Sequence, residues 1–327
     1  MGKPVVFVTR AVHASILQRL GAVCEVRAWT EKGRCPADVL AKEIQDADVV
    51  VGTDHWDDAL MARAPRLRHI ALTSVGFDMV DLEAANRRNI LVTNTAGSLT
   101  DTVADLVFAL MLAVGRRVCE MDRWLRAGQW REVAMTPMGR DLHHATLGIL
   151  GFGRIGVAVA ERARGFQMPV LYHDVIRRTD LEQEYGYRFV EKDALFGESD
   201  YVTIHTTLTE NNRRLVGAAE LGLMKPAAFL INTSRGPVVD EQALIAALKR
   251  GQIAGAALDV FEQEPVDMAN PLLTMENVVL LPHVGSATEA TRRAMVELAV
   301  DNALAVCQGQ PPLTPVNPEV LPRLRGR

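Results

Sequence analysis

The chain has 327 residues, of which 48% are hydrophobic and 23% are charged, and its formal net charge is −4. A chain of this length exceeds the size at which one hydrophobic core usually stops growing, so we expect two domains. The balanced charge, without long basic runs, argues against nucleic acid or an anionic membrane as a partner. No stretch approaches the roughly 18 consecutive apolar residues that a membrane span needs.

Targeting and metal-binding patterns are missing from the sequence. The N-terminal apolar run, VVFV, is followed by charge and is too short for a signal-peptide core. The four cysteines are scattered without a C-x-x-C pair, and the histidines show no metal-ligand spacing. This pattern favours reduced thiols over a disulfide framework or a zinc site. We therefore expect a cytoplasmic protein without a metal site.

The first hundred residues alternate between strand and helix patterns. Strands are predicted at VVFVTR, CEVRAWT, DVVVGT, LRHIALTS and ILVTNT. Helices are predicted between them at HASILQRLG, PADVLAKEIQDA, DDALMARAP and DMVDLEAANRRN. Five strands with four intervening helices are enough for a complete doubly wound α/β domain.

Residues 100–130 have long helical character, apolar as far as Leu112 and charged afterwards. Thr100 or Asp101 can cap this segment. We predict one long or broken helix that leaves the first domain. Its apolar half is expected to be a buried core helix, a subunit interface, or both.

A second alternation begins at Ala145. Its strands are predicted at ATLGILG, PVLYHD, YVTIHT, AAFLINTS, IAGAALDV and NVVLLPH, and a long helix, TEATRRAMVELAVDNALAVCQG, follows. Because no third domain remains for that helix, we expect the chain to return to the first domain. The predicted fold is α/β with two doubly wound parallel-sheet domains. A flavodoxin-like substrate domain (1–98 and 287–327) is interrupted by an inserted Rossmann domain (99–286).

The segment GFGRIG matches the pattern G-x-G-x-x-G at Gly151, Gly153 and Gly156, between a strand pattern and a helix pattern. That context is the one the dinucleotide-binding mechanism requires. The first glycine permits the tight turn, the second lets the backbone approach a pyrophosphate, and the third lets helix and strand pack closely. The N–H groups around Arg154 and Ile155 would then face the phosphates at a helix N-terminus.

The predicted strand after this helix ends at Asp174, 18 residues beyond Gly156 (174 − 156). An acidic residue about 20 residues beyond the glycine motif binds the ribose hydroxyls of NAD. A carboxylate there repels the 2′-phosphate of NADP, so NADH is expected over NADPH. Arg177 and Arg178 either soften that preference or are solvated surface charges.

Three further stretches, NTSRGPVVDE, LDVFEQEP and LPHVGSAT, begin at or near the carboxyl ends of predicted strands. They contribute Arg235, Glu264 and His283. Ligands of open α/β sheets bind at these strand ends. Together with the dinucleotide motif, the three residues indicate a catalytic set.

With these motifs the chain resembles the D-isomer-specific 2-hydroxyacid dehydrogenases over nearly its whole length. The resemblance rests on SVGFD, TDTVAD, GFGRIG, NTSRGPVVDE, LDVFEQEP and PHVGSAT. Within the family, DLHHATLGILGFGRIG is most similar to glyoxylate/hydroxypyruvate reductases and 2-ketogluconate reductases. The resemblance implies a homodimeric oxidoreductase that reduces glyoxylate, hydroxypyruvate or 2-ketogluconate. It also implies a catalytic domain built from both chain ends.

The resemblance also implies roles for individual residues. His283 would protonate the carbonyl oxygen, since histidine ordinarily titrates near neutral pH. Glu264 would hold the imidazole, and Arg235 would bind the substrate carboxylate and polarise the carbonyl with its planar fork of donors. The backbone N–H groups of Val75 and Gly76 would bind the carboxylate as well.

The remaining cofactor contacts come from the resemblance alone. They are expected at Thr102, Thr206, Thr207, Thr233, Asp259 and Gly285. Asp259 corresponds to the residue that orients the nicotinamide amide. Relatives usually carry proline at the position of Thr207, so we expect a local adjustment of that contact.

Alternative activities remain open. Phosphite dehydrogenases share Arg235, Glu264 and His283 but carry a lysine where this chain has Val75, and formate dehydrogenases carry glutamine in place of Glu264. Corepressors of the superfamily keep the fold and the same three residues but usually carry additional tails. They act as NAD-responsive binding proteins without catalysis.

The strand end VVVGTDHW raises a separate question about substrate size. Asp54 and His55 either hydrogen-bond hydroxyl groups of a larger ketoacid or cap the following helix. In the first case hydroxylated ketoacids would be better substrates than pyruvate.

Overall fold

The computed structural model describes residues 2–132 and 136–324. Strands and helices alternate along both stretches. The strands are β1 (Val5–Val8), β2 (Glu25–Ala28), β3 (Val49–Gly52), β4 (His69–Leu72), β5 (Leu91–Thr93), β6 (Leu147–Leu150), β7 (Val170–His173), β8 (Arg188–Phe189), β9 (Tyr201–Ile204), β10 (Phe229–Asn232), β11 (Gly255–Leu258) and β12 (Val278–Leu280).

The helices lie between these strands and after the last one. They are α1 (Ala14–Val23), α2 (Ala37–Glu43), α3 (Asp58–Ala62), α4 (Leu82–Arg87), α5 (Thr100–Gly115), α6 (Val118–Arg126), α7 (Arg154–Ala163), α8 (Thr179–Tyr185), α9 (Lys192–Glu198), α10 (Ala218–Leu223), α11 (Glu241–Lys249), α12 (Glu289–Cys307) and α13 (Leu321–Leu324). Short 3-10 turns lie at Arg164–Phe166, Glu210–Asn212, Gly236–Val238, Pro271–Thr274 and Pro318–Val320.

The chain divides into two compact units. The first comprises Met1–Leu99 and Ala287–Arg327, and the second comprises Thr100–Ser286. The first unit contains a five-stranded parallel sheet in the order β2-β1-β3-β4-β5. This is the strand order of flavodoxin-like folds.

The first unit buries apolar side chains on both faces of its sheet. Successive residues of a strand point to opposite faces. Phe7 accordingly packs in one core, whereas Val6 and Val8 pack in the other. Helix α12 covers the second face with Ala299 and Val300 among its buried residues. Helices on both faces explain why the strands of this sheet are continuously apolar.

The tail that follows α12 is tied to the first unit through a buried amide. Asn302 accepts hydrogen bonds at Oδ1 from the N–H groups of Leu313 (2.7 Å) and Thr314 (3.2 Å). Its Nδ2 donates to Thr314 Oγ1 at 2.8 Å, and that hydroxyl donates to the Asn94 carbonyl oxygen at 2.5 Å. Asn302 is fully buried. These bonds hold the tail along the end of β5.

The second unit contains a seven-stranded parallel sheet in the order β12-β11-β10-β9-β6-β7-β8. Counted from β6 as the first strand, this is the Rossmann order 3-2-1-4-5-6 with one further strand. Leu150 and Leu171 pack on one face, and Leu147 and Tyr172 pack on the other. The two sheets confirm the predicted fold class of two doubly wound parallel-sheet domains.

The structure settles the form of the helical segment after residue 100 and adds one strand, β8, to the predicted sheet of the second unit. The segment from residue 100 is a broken helix, because Arg117, between α5 and α6, adopts a left-handed conformation with φ 55°. The apolar half is a buried core helix, with Val107 and Met111 fully buried. Strand β8 was not predicted, because its two residues are too few to show an alternating pattern.

None of the helices within residues 2–132 and 136–324 is long and apolar enough to cross a membrane. The same residues contain no group of three or more His, Cys, Asp or Glu side chains placed to hold a metal ion. The four cysteines are free thiols.

Candidate active site

The glycine-rich loop joins β6 to α7 and depends on close backbone approach. Gly151 has φ +93°, and a Cβ there would lie 2.8 Å from the backbone N of Thr206. A Cβ on Gly156 would lie 2.3 Å from the Gly151 carbonyl oxygen. Gly153 is the N-cap of α7 and has open space where a side chain would be. The loop therefore leaves the N-terminus of α7 accessible, next to Arg154 and Ile155, as an anion site requires.

Asp174 follows β7 and is held by backbone groups. Its Oδ2 accepts a hydrogen bond from the Phe152 N–H at 2.5 Å, and its Oδ1 accepts one from the Ile176 N–H at 3.1 Å. The first of these bonds joins the carboxylate directly to the glycine-rich loop. The structure thus places Asp174 beside the loop that would bind the pyrophosphate.

Two threonine hydroxyls follow neighbouring strands of the same sheet. Thr206 lies just beyond β9, and Thr233 comes directly after β10. Each Oγ1 is buried without a hydrogen-bond partner among the described residues. Burying a hydroxyl without a partner is costly, so such groups indicate where a polar ligand binds. This observation fits the predicted nicotinamide cofactor.

The remaining threonine positions are less constrained by the structure. Thr207 is exposed, and its carbonyl oxygen accepts a hydrogen bond from the side-chain amide of Asn212. Thr102 lies in the first turn of α5 and is half-buried. Their contacts with a cofactor stay predictions.

His283 and Glu264 form a short hydrogen-bonded pair. His283 Nδ1 lies 2.6 Å from Glu264 Oε2, and the other carboxylate oxygen accepts a hydrogen bond from the Phe261 N–H at 3.1 Å. Because a carboxylate can only accept, Nδ1 carries the proton in this pair. Both side chains are partly accessible, with exposed fractions of 46% and 36%. The geometry leaves the second ring nitrogen of His283 available for a substrate.

The pKa of Glu264 is lowered from its ordinary value. Burial acts to raise this pKa, but the hydrogen bond and the charge interaction with His283 outweigh it, with contributions from the Phe261 N–H and from Arg235. Glu264 is therefore a carboxylate at neutral pH and can orient His283 as an acceptor.

Arg235 lies on the loop after β10. The next residue of this loop, Gly236, has no room for a side chain, so the loop approaches the segment that carries Glu264. A Cβ on Gly236 would lie 1.8 Å from the Phe261 carbonyl oxygen. Asn232 holds the loop from the other side, since its Oδ1 accepts from the Ser234 N–H at 3.0 Å and its Nδ2 donates to the Arg235 carbonyl oxygen at 3.0 Å. The segment after β10 therefore packs directly against the segment that carries Glu264.

Asp259 is a buried carboxylate that supports the His283 loop. It is 1% exposed, and its two oxygens accept hydrogen bonds from the N–H groups of Val284 (2.7 Å) and Gly285 (2.8 Å). Its carbonyl oxygen accepts from the His283 N–H at 2.9 Å. Burial raises the pKa of Asp259, with the two N–H donors and His283 acting against that rise. This positioning of His283 was not predicted from the sequence, and the role of Asp259 towards a nicotinamide stays a prediction.

Val75 and Gly76 belong to the first unit and follow β4. Their carbonyl oxygens accept hydrogen bonds from Asn94 Nδ2 and Ser74 Oγ, each at 2.8 Å. Within the described residues, neither the Val75 nor the Gly76 N–H donates a hydrogen bond. Two half-buried N–H groups on a tethered loop are suited to bind a carboxylate.

Arg10, which was not predicted from the sequence as a site residue, also lies at the carboxyl edge of the first sheet. Its guanidinium donates to Thr73 Oγ1 at 3.2 Å, and that hydroxyl lies 2.8 Å from Thr53 Oγ1. Burial lowers the pKa of Arg10, and the charge of Arg292 lowers it further, whereas Asp54 raises it. Its position directly after the VVFVT strand pattern could have indicated that Arg10 lies at this edge of the sheet.

Asp54 and His55 do not cap α3. The cap is Asp57, whose Oδ1 accepts a hydrogen bond from the Leu60 N–H at 2.7 Å. The capping alternative was therefore wrong. Asp54 instead accepts a hydrogen bond from Thr9 Oγ1 at 2.6 Å, and burial raises its pKa. Recognition of substrate hydroxyls by Asp54 or His55 stays a prediction.

Comparison with known proteins gives consistent results. Residues 108–285 match the model of the D-isomer specific 2-hydroxyacid dehydrogenase NAD binding domain. The chain is 47% identical over 324 residues to a glyoxylate reductase of Korarchaeum cryptofilum, and the match covers 98% of this chain and 97% of the relative.

Two solved structures are similar along almost the whole chain. A crystal structure of a Thermus thermophilus protein has a TM-score of 0.87 and 42% identity, and the match covers 95% of this chain and 99% of the other. The NADPH-dependent glyoxylate/hydroxypyruvate reductase of Sinorhizobium meliloti, solved with NADP and malonate, has a TM-score of 0.87 and 34% identity, with 98% of both chains covered. This protein belongs to the D-isomer-specific 2-hydroxyacid dehydrogenase family.

Proposed function

We propose that this enzyme reduces glyoxylate or a closely related 2-ketoacid, such as hydroxypyruvate or 2-ketogluconate, with NADH as the preferred cofactor. The observation that carries the proposal is the 2.6 Å pair of His283 Nδ1 and Glu264 Oε2, next to a loop that presents Arg235. Relatives named glyoxylate reductase that match nearly the full length of the chain support the substrate class.

His283 would supply the proton in the reduction of a 2-ketoacid. The ketone oxygen gains negative charge as the carbon is reduced and must be protonated. Nδ1 is held by Glu264, so the other ring nitrogen, Nε2, would donate the proton. Glu264 fixes the orientation of the ring and offsets the positive charge of the imidazolium.

Arginine and backbone donors would bind the acid group. Arg235 offers a planar fork of donors that matches a carboxylate and also polarises the adjacent carbonyl. The N–H groups of Val75 and Gly76 would bind the carboxylate from their tethered loop. Since neither position provides a cation, the loop suits a monoanionic substrate and argues against phosphite.

A nicotinamide cofactor fits the second unit. The N-terminus of α7 and the loop around Gly151 would hold the pyrophosphate, Asp174 would accept hydrogen bonds from the adenosine ribose, and Thr206 and Thr233 would use their unpartnered hydroxyls. When bound, such a cofactor supplies the hydride. The carboxylate of Asp174 is the reason to propose NADH over NADPH, although the related enzyme of Sinorhizobium meliloti is described as NADPH-dependent.

The enzymatic proposal is tested by 2-ketoacid-dependent oxidation of NADH, with glyoxylate, hydroxypyruvate, 2-ketogluconate and pyruvate as substrates. Reduction of at least one of them, with a rate that falls at least about 10²-fold in His283→Ala, supports it. A protein that binds NADH but reduces no 2-ketoacid would instead be a binding protein of the corepressor kind. Phosphite-dependent reduction of NAD would support the phosphite dehydrogenase alternative.

A homodimer is part of the proposal. The second unit exposes large apolar side chains along and after α6, with exposed fractions of 54% for Leu125, 56% for Trp130 and 85% for Met138. A subunit interface would cover such exposed apolar side chains. Light scattering after size-exclusion chromatography gives the mass directly, and a monomer at micromolar concentration would contradict a stable dimer.

A further inference from the structure

The segment after Asp174 contains an arginine that is held by a bidentate ion pair. Arg177 Nε donates to Glu182 Oε1 at 2.8 Å, and its Nη2 donates to Glu182 Oε2 at 2.7 Å. The guanidinium also lies over the ring of Phe189, 5.4 Å from its centroid. Arg177 therefore has a defined position although more than half of its side chain is exposed.

Glu182 also accepts a hydrogen bond from a residue of the sheet. The hydroxyl of Tyr172, a buried residue of β7, donates to Glu182 Oε1 at 2.6 Å and accepts from the Arg178 N–H at 2.8 Å. The side chain of Glu182 is only 17% exposed. Arg177, followed by Tyr172, lowers the pKa of Glu182 to about 2. The carboxylate is thus charged and anchored to the sheet at all physiological pH values.

This ion pair bears on the choice of cofactor. The adenosine ribose of a dinucleotide would bind Asp174, three residues before Arg177, and a 2′-phosphate on that ribose needs a cation close by. Arginine is the side chain best suited to bind a phosphate. Both guanidinium groups that follow Asp174 are engaged, Arg177 with Glu182 and Arg178 with Asp180.

We propose that Glu182 is a positioning residue for cofactor selection, which holds Arg177 away from a 2′-phosphate and so strengthens the preference for NADH. The inference rests on the proposed function, in which Asp174 binds the ribose. It assigns part of the selectivity to a residue that touches neither the ribose nor the phosphate.

Glu182→Gln tests this directly. The amide can still accept from Tyr172 but loses the charge that holds Arg177. We expect kcat/KM for NADPH to rise about two- to fivefold, as expected for releasing a partly exposed ion pair, while kcat/KM for NADH stays nearly constant. Adding Arg177→Ala to Glu182→Gln should remove the gain.

Glu184→Gln is the matched control. Glu184 lies on the same helix and carries the same charge, but among the described residues it forms no ion pair. This variant should leave the NADPH to NADH ratio unchanged. An equal rise in the control would assign the effect to net charge alone and would overturn the proposal, as would an unchanged ratio in Glu182→Gln.

A binding measurement separates this inference from the proposed activity. Calorimetric titration with adenosine 2′,5′-bisphosphate and with adenosine 5′-monophosphate needs no turnover. Glu182→Gln should tighten binding of the bisphosphate about two- to fivefold and leave binding of the monophosphate unchanged. If Glu182→Gln is poorly folded, Arg177→Ala alone still tests the premise that Arg177 is held away from the phosphate. It should not weaken bisphosphate binding, and a clear loss would mean that Arg177 already reaches the phosphate.

Discussion

His283 is the residue whose removal should affect the chemistry most. We expect His283→Ala to lower kcat for 2-ketoacid reduction by about 10²- to 10⁴-fold, the range typical of a positioned general acid. The affinity for NADH, measured by fluorescence titration, should change little, because the ring takes part in proton transfer and not in cofactor binding. Retention of kcat within a few-fold would show that another group supplies the proton.

Glu264 should determine the pH range in which reduction is fast. Its pKa is lowered, so the carboxylate persists throughout the neutral range and faces His283 with a full negative charge. A carboxylate favours a protonated imidazole more than a neutral amide does. In Glu264→Gln the fall of kcat/KM on the alkaline side should therefore occur at lower pH than in the wild type. Profiles that coincide would mean that Glu264 only positions the ring.

Asp174 should account for the preference between NADH and NADPH. Asp174→Ser removes the charge that repels a 2′-phosphate and keeps a small polar side chain beside the Phe152 N–H. The ratio of kcat/KM for NADH over NADPH should fall roughly tenfold, the scale of one hydrogen bond to a charged group. A higher kcat/KM for NADPH than for NADH in the wild type would contradict the proposed role of Asp174.

At the scale of single elements, the sequence predicted regular strands and helices well because their patterns are local. The helix break at Arg117 was not located, because a non-glycine residue in a left-handed conformation has no sequence signature. The support of the His283 loop by Asp259 and the bond between Arg10 and Thr73 depend on which strand ends become neighbours. Contacts between such residues depend on the order of the strands in the sheet, and a local sequence pattern does not predict that order.

The attachment of the C-terminal tail offers a test at the same scale. Asn302→Ala removes a fully buried amide together with its hydrogen bonds to Leu313 and Thr314, which costs about 1–3 kcal/mol of unfolding free energy. Chemical denaturation measures the loss. Arg293→Ala on the exposed side of α12, where Arg293 forms a solvent-exposed ion pair with Glu297, should leave stability almost unchanged. If both variants changed the unfolding free energy equally little, the buried amide of Asn302 would not contribute to stability.

At the scale of the whole molecule, both parallel sheets were predictable because the βα alternation runs through each of them and is interrupted only by the long helical segment. Functional groups follow the carboxyl ends of the strands, where side chains of distant segments meet. The glycine-rich loop, Asp174 and His283 could be proposed from motifs. Glu182 could not, since its importance comes from its contacts with Tyr172 and Arg177. Dimer formation and a cytoplasmic location stay predictions.

Catalysis of 2-ketoacid reduction by His283 is tested by the steady-state rate of NADH oxidation with glyoxylate, compared between the wild type and His283→Ala. We expect glyoxylate-dependent oxidation by the wild type, with lower kcat/KM for NADPH than for NADH, and a loss of roughly 10²-fold or more in the variant. A wild-type protein that binds NADH yet oxidises it with neither glyoxylate nor any other 2-ketoacid would contradict the account.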